Sequence, residues 1–102
     1  MQRQEQAQDA LSAASNVYRP VMENDRARVL RVVFWPGERA APHHHPDHLA
    51  IALKGNKIKL TAAGRTDTVD IEVGQAIYMD EVTHEAVNVG GTEIDLIVVE
   101  LK

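Results

Sequence analysis

Ala41-Pro42-His43-His44-His45-Pro46-Asp47-His48-Leu49-Ala50-Ile51-Ala52-Leu53-Lys54-Gly55 is the stretch on which the reading of the fold turns. It holds four of the five histidines and runs directly into an apolar segment closed by a Gly55-Asn56 turn signal. Residues two apart on a strand share a face, so His43 and His45 point one way and His44 the other. By simple alternation His48 is out of phase with that pair. Pro46 intervenes, however, and a proline bends or bulges a strand and resets its phase. His48 then opens a new strand on the interior face with Ala50 and Ala52, while Leu49, Ile51 and Leu53 take the other face. Two alanines beside a histidine leave the space a pocket needs; equally, they can face bulky partners across a filled core.

Outward from this stretch the strand pattern repeats. On the N-terminal side, Arg28 to Trp35 is rich in β-formers, and Glu23-Asn24-Asp25 is a turn signal. Before it lies Val17 to Val21, where Pro20 marks an edge or irregular strand. On the C-terminal side, Lys57-Ile58-Lys59-Leu60-Thr61 alternates as a hairpin partner should after a tight turn at Lys54-Gly55-Asn56. Thr68 to Val73 alternates after Gly64. Ala76 to Met79, His84 to Val89 and Ile94 to Leu101 follow, punctuated by Gly74 and Gly90-Gly91. Many short strands with frequent turns specify an all-β sandwich or barrel, and closure would protect the strand edges.

Met1 to Ser15 stands apart. Ala7, Ala10, Leu11 and Ala14 have helical spacing, but the stripe is thin, so a flexible or weakly helical arm is expected over 1–15 and the barrel domain over 16–102. The arm lacks the apolar length of a signal peptide. The chain thus reads as cytoplasmic, or as periplasmic if a leader has been removed.

At 102 residues there is room for one core. A formal charge of −4 and the lack of any Lys/Arg run argue against a nucleic-acid surface, and nothing reaches membrane-spanning length. Without cysteine there are no disulfides, thiolate nucleophiles or cysteine zinc sites. Imidazole is the commonest protein metal ligand, so the histidines carry the chemistry. The plain alternatives are a solvated His-rich loop that merely chelates nickel, and a His84 hydrogen-bonded in the core.

Gly37, five residues, His43-x-His45 and the later Gly55 resemble the first motif of the cupin superfamily; Gly74 and His84-xxx-Asn88 resemble its second. Glu23-Asn24-Asp25-Arg26, Gly74-Gln75-Ala76 and the Val98-Val99-Glu100-Leu101-Lys102 ending are similar to small single-domain bacterial cupins. The resemblance implies an antiparallel jelly-roll barrel, or double-stranded β-helix, around one divalent metal, with His43, His45 and His84 as ligands. It also implies a homodimer, for which the β edge at Val17 to Val21 and the apolar Leu49/Ile51/Leu53 face give physical reason. The chain departs from the pattern as well. The first motif's Glu is missing, and counting six residues back from Gly55 puts His48 in its place. Asp80 and Val82 stand where Pro and Gly are expected, and His84 comes one residue early.

His48 is therefore the expected fourth ligand. Asp47, in strand phase with His43 and His45, is its rival, and three histidines plus water the remaining arrangement. An all-imidazole set suits Zn, Fe, Mn, Ni or Cu. The function expected is a metalloenzyme acting on a small oxygen-bearing molecule chelated at the metal, of dioxygenase, isomerase or lyase type. The alternatives are a non-catalytic small-ligand binding or sensing cupin, and a metal-free structural one. Glu85 and Tyr78 are the weak catalytic candidates, against readings as mouth charge and core.

Overall fold

The computed structural model describes residues 8–102. Among these residues one short helix, α1 (Ala10–Ala13), precedes nine strands: β1 (Tyr18–Glu23), β2 (Ala27–Phe34), β3 (Arg39–His45), β4 (His48–Lys54), β5 (Lys57–Ala62), β6 (Arg65–Asp70), β7 (Ala76–Met79), β8 (Val82–Asn88) and β9 (Ile94–Leu101). They form a five-stranded sheet of order β1-β2-β9-β4-β7 and a four-stranded sheet of order β3-β8-β5-β6, with every pairing antiparallel. The all-β expectation holds.

Alternation fixes which side chains face the space between the sheets. Leu30, Val32 and Phe34 of β2 are buried, as are Leu96 and Val98 of β9 and Ile58 of β5. On β4 the buried residues are His48, Ala50 and Ala52, the phase read from the sequence. The cause is visible at Pro46-Asp47, where the chain leaves the four-stranded sheet at His45 and enters the five-stranded one at His48. β3 carries a second phase change. A register shift between Ala40 and His43 spans Pro42, which has no N–H to give to the ladder, and it leaves Ala40, His43 and His45 all buried.

Three expectations need correction. β5 does not form a hairpin with β4. It pairs with β6 and β8, so the Lys54-Gly55-Asn56 segment is another crossing between sheets. Gly55 is obligatory there, because a Cβ on it would lie 1.9 Å from the Ile71 carbonyl oxygen. The strand read over Thr68 to Val73 lies instead at Arg65–Asp70, and Val73 is exposed. Finally, the short helix of the arm is present as α1, but residues 8–15 pack against the barrel instead of standing apart. Asp9 caps α1 through the Leu11 N–H, and Ala10 and Ala14 are fully buried in the core. The His44 N–H donates to the Gln8 carbonyl at 2.9 Å, so this segment covers the β3 edge. Ala7 and the rest of the expected arm lie outside the described residues.

β1 is an edge strand, as Pro20 implied. No described helix is long and apolar enough to cross a membrane.

Candidate metal centre

His43 and His45 come from β3, and His84 lies opposite His43 in the β3–β8 register. One ring nitrogen from each of these three buried histidines falls within 4.8 Å of the others. Ring centroids are 4.8 Å apart for His43 and His45, 4.8 Å for His43 and His84, and 5.3 Å for His45 and His84. His48 arrives from β4 in the other sheet and stacks on His45, 4.6 Å away at an interplanar angle of 30°. It is close to His45 but is not one of the three whose ring nitrogens converge within 4.8 Å.

The outer nitrogens are already engaged. His43 Nδ1 lies 2.6 Å from the Ala41 carbonyl oxygen, and His48 Nδ1 lies 2.7 Å from that of Pro46. His45 Nδ1 lies 2.7 Å from Glu100 Oε2. All three partners are acceptors, so each Nδ1 carries a proton, and Nε2 is the lone-pair atom of the neutral ring. This is the tautomer and the orienting contact that metal-ligating histidines use.

Burial disfavours the charged form of His43, His48 and His84. It pulls His43 down to about 4, against the opposing effect of the Ala41 carbonyl. It pulls His84 down to about 3, helped by the other three histidines, and it lowers His48. Neutral rings are the form a cation needs. Burial alone would raise the Glu100 carboxyl; its bond to His45 and the Arg28 guanidinium outweigh that and hold it below the usual value. Arg28 Nε donates to Glu100 Oε1 at 2.9 Å, and its terminal nitrogens grip Asp9.

Sequence reasoning missed two contributors. One is Glu100, whose phase on β9 is ambiguous because Ile97, Val99 and Leu101 make the opposite face equally apolar. The other is Tyr18, a fully enclosed phenol whose hydroxyl lies 3.2 Å from His43 Nε2 and 3.0 Å from His45 Nε2. Burial and the charge of Glu100 both push this phenol up, so it stays protonated and can donate to one of the two nitrogens at a time. No local pattern around Tyr18 announces that position.

The remaining candidates face elsewhere. Asp47 is exposed, and its Oδ1 accepts the Glu81 N–H at 2.8 Å. Glu85 is on the outer face of β8, paired with Arg39 at 3.2 Å. Tyr78 is 52% exposed, while its neighbours Ile77 and Met79 turn inward. His44 points out toward Thr83 and Glu81. Asn88 is buried and structural, donating to the Phe34 and Thr92 carbonyls.

Solved structures share this architecture. A cupin domain from Bordetella pertussis Tohama I superposes with a TM-score of 0.80 at 21% identity, covering 97% of this chain and 99% of that one. The fold is that of the cupins. A protein from Methanocaldococcus jannaschii, described as an RmlC-like cupin with a double-stranded β-helix fold, gives 0.67 at 16% identity over 83% and 78% of the two chains. A Cupin 2 conserved barrel domain protein from Salinispora arenicola CNS-205 gives 0.63 at 20% identity over 85% and 76%. No protein-family model matches the sequence, and no curated protein does. Within this cupin barrel the chemistry of the donor set fits a divalent ion: neutral imidazoles, lone pairs turned inward, and a buried carboxylate behind one ring.

Proposed function

We propose that this cupin binds one divalent metal through His43, His45 and His84, with His48 as fourth ligand, and acts on a small oxygen-bearing molecule held at the metal. The observation that carries the reading is the convergence of three buried imidazoles, His43, His45 and His84, with the Nδ1 of His43 and of His45 tied to an acceptor. A bound metal would supply Lewis-acid or redox chemistry. The chain's own part is to orient and to exclude water. Glu100 holds the His45 ring, the Ala41 and Pro46 carbonyls hold His43 and His48, and the Tyr18 hydroxyl offers a proton beside two of the donor nitrogens.

A non-catalytic binding or sensing role is the second reading, and one observation favours it. Apart from Tyr18 and the histidines, the cavity lining contains no acid or base, so general acid–base work there falls to very few groups. The homodimer expected from the resemblance stands as part of the proposal. The outer edge of β1 is not paired among the described residues, and Val21 and Met22 on it are exposed.

The test is metal analysis of untagged protein purified without nickel. Stoichiometric metal that disappears in His43→Ala and His84→Ala supports the site; its absence from the parent protein after exposure to each candidate ion refutes it. Turnover of a chelating substrate that depends on the metal then supports the enzyme, and tight binding without turnover supports the sensor.

A further inference from the structure

The cavity between the sheets measures about 120 Å³, and its wall is hydrocarbon. Phe34, Ile58, Ile71, Ile77, Met79 and Leu96 are among the apolar residues lining it, and His45, His48 and His84 reach it from the candidate metal centre. No carboxylate, ammonium or guanidinium lines it among the described residues. A cavity of this order lined by Leu, Ile and Phe takes up benzene, whereas a charge placed against such a wall without a partner is strongly disfavoured.

A wider depression adjoins this chamber, sharing Leu60, Val69, Met79 and His84 with it. Its rim carries Asp67, Asp80 and Glu81 against a single cation, Arg65, which itself lies 3.8 Å from Asp67. The depression beside His84 is thus negatively charged on balance. Like charge at a mouth slows and weakens the binding of anions. The rim and the chamber behind it select in the same direction.

We propose that the ligand has an uncharged, apolar body about the size of a benzene ring and an oxygen-bearing end directed at the histidines, and that a charged group on that body makes a poor ligand. The oxygen-bearing end rests on the metal reading above; the apolar body rests on the cavity, and the exclusion of charge on the cavity and the acidic depression beside it.

Two arms test this and keep the two readings apart. In metal-free protein, benzene is expected to shift the methyl resonances of Ile58 and Ile71 and to raise the melting temperature, while benzoate at equal concentration does neither. No response to benzene, or an equal response to benzoate, overturns the proposal whatever the metal does. In zinc-loaded protein, three hydroxamic acids share one chelating head: acetohydroxamic, benzohydroxamic and 4-carboxybenzohydroxamic acid. Calorimetry is expected to show benzohydroxamic acid binding at least tenfold more tightly than the other two. Parity between the phenyl and carboxyphenyl compounds overturns the exclusion of charge, and parity between the methyl and phenyl compounds overturns the apolar body. Failure to take up zinc or any other candidate ion refutes the metal site instead, and the benzene arm still decides the cavity.

Discussion

Glu100 Oε2 stands 2.7 Å from His45 Nδ1, and both side chains are almost wholly enclosed. The pair lies where β9 and β3 approach from different sheets, and Arg28 joins it to Asp9 at the start of α1. Orienting carboxylates of this kind typically contribute 10–100-fold to metal affinity. Glu100→Gln keeps the shape and removes the charge, so metal affinity should fall by roughly that factor. Competition against a chromophoric chelator measures it, and an unchanged affinity would sink the role assigned to Glu100.

The histidines should not behave alike. His43→Ala and His84→Ala are expected to abolish stoichiometric metal binding. His48→Ala should weaken it and change the coordination seen by X-ray absorption from four imidazoles to three. His44→Ala should leave metal content untouched, because its ring lies outside with Thr83 and Glu81. Metal loss in His44→Ala equal to that in His43→Ala would contradict the geometry.

Acid should unfold the metal-free protein early. His43 and His84 have pKa values of about 4 and about 3 in the fold, against 6.5 when unfolded. Between 6.5 and those values the unfolded chain binds more protons than the native one, so stability falls as pH falls. The slope approaches about 1.4 kcal/mol per pH unit for each such histidine. The lowered carboxylates Asp9, Glu85, Asp95 and Glu100 act only from their ordinary values of 3.8 to 4.5 downward. Urea melts between pH 8 and pH 5 therefore isolate the histidines. A flat profile over that interval would mean that they are not held neutral.

The β5–β6 hairpin offers a test that is independent of the site. Ala63 and Gly64, between the paired residues Ala62 and Arg65, have φ of 51° and 78°. Positive φ at both central positions is the type I′ pattern that favours Asn-Gly. Ala63→Asn should stabilise the fold by about 0.5–1 kcal/mol, read as a higher melting temperature at unchanged metal content. No gain would mean that the turn relaxes in solution.

The strands and the inward phase of His48 were legible because Pro46 interrupts an otherwise regular alternation. Sheet membership was not. Nothing local in Lys54-Gly55-Asn56 separates a hairpin from a crossing; the 1.9 Å conflict of a Gly55 Cβ with Ile71, a contact between segments distant in sequence, makes the difference. The imidazoles stood out as a cluster, whereas Glu100 sits in a strand apolar on both faces and Tyr18 in a short edge strand. Glu85 drew notice beside His84, and the period of two sends it to the outer face. Tyr78, six residues before His84, would share its side by simple alternation, but the chain changes sheet between β7 and β8 and leaves Tyr78 exposed.

The step from His45 to His48 moves the chain from one sheet to the other within three residues. An ion gripped by His48 together with His43, His45 and His84 would therefore rivet the two layers together. In a chain without cysteine, that coordination takes the place a disulfide fills elsewhere. Metal supply would then govern the lifetime of the protein as well as its chemistry, with the metal-starved form the one that proteases reach first.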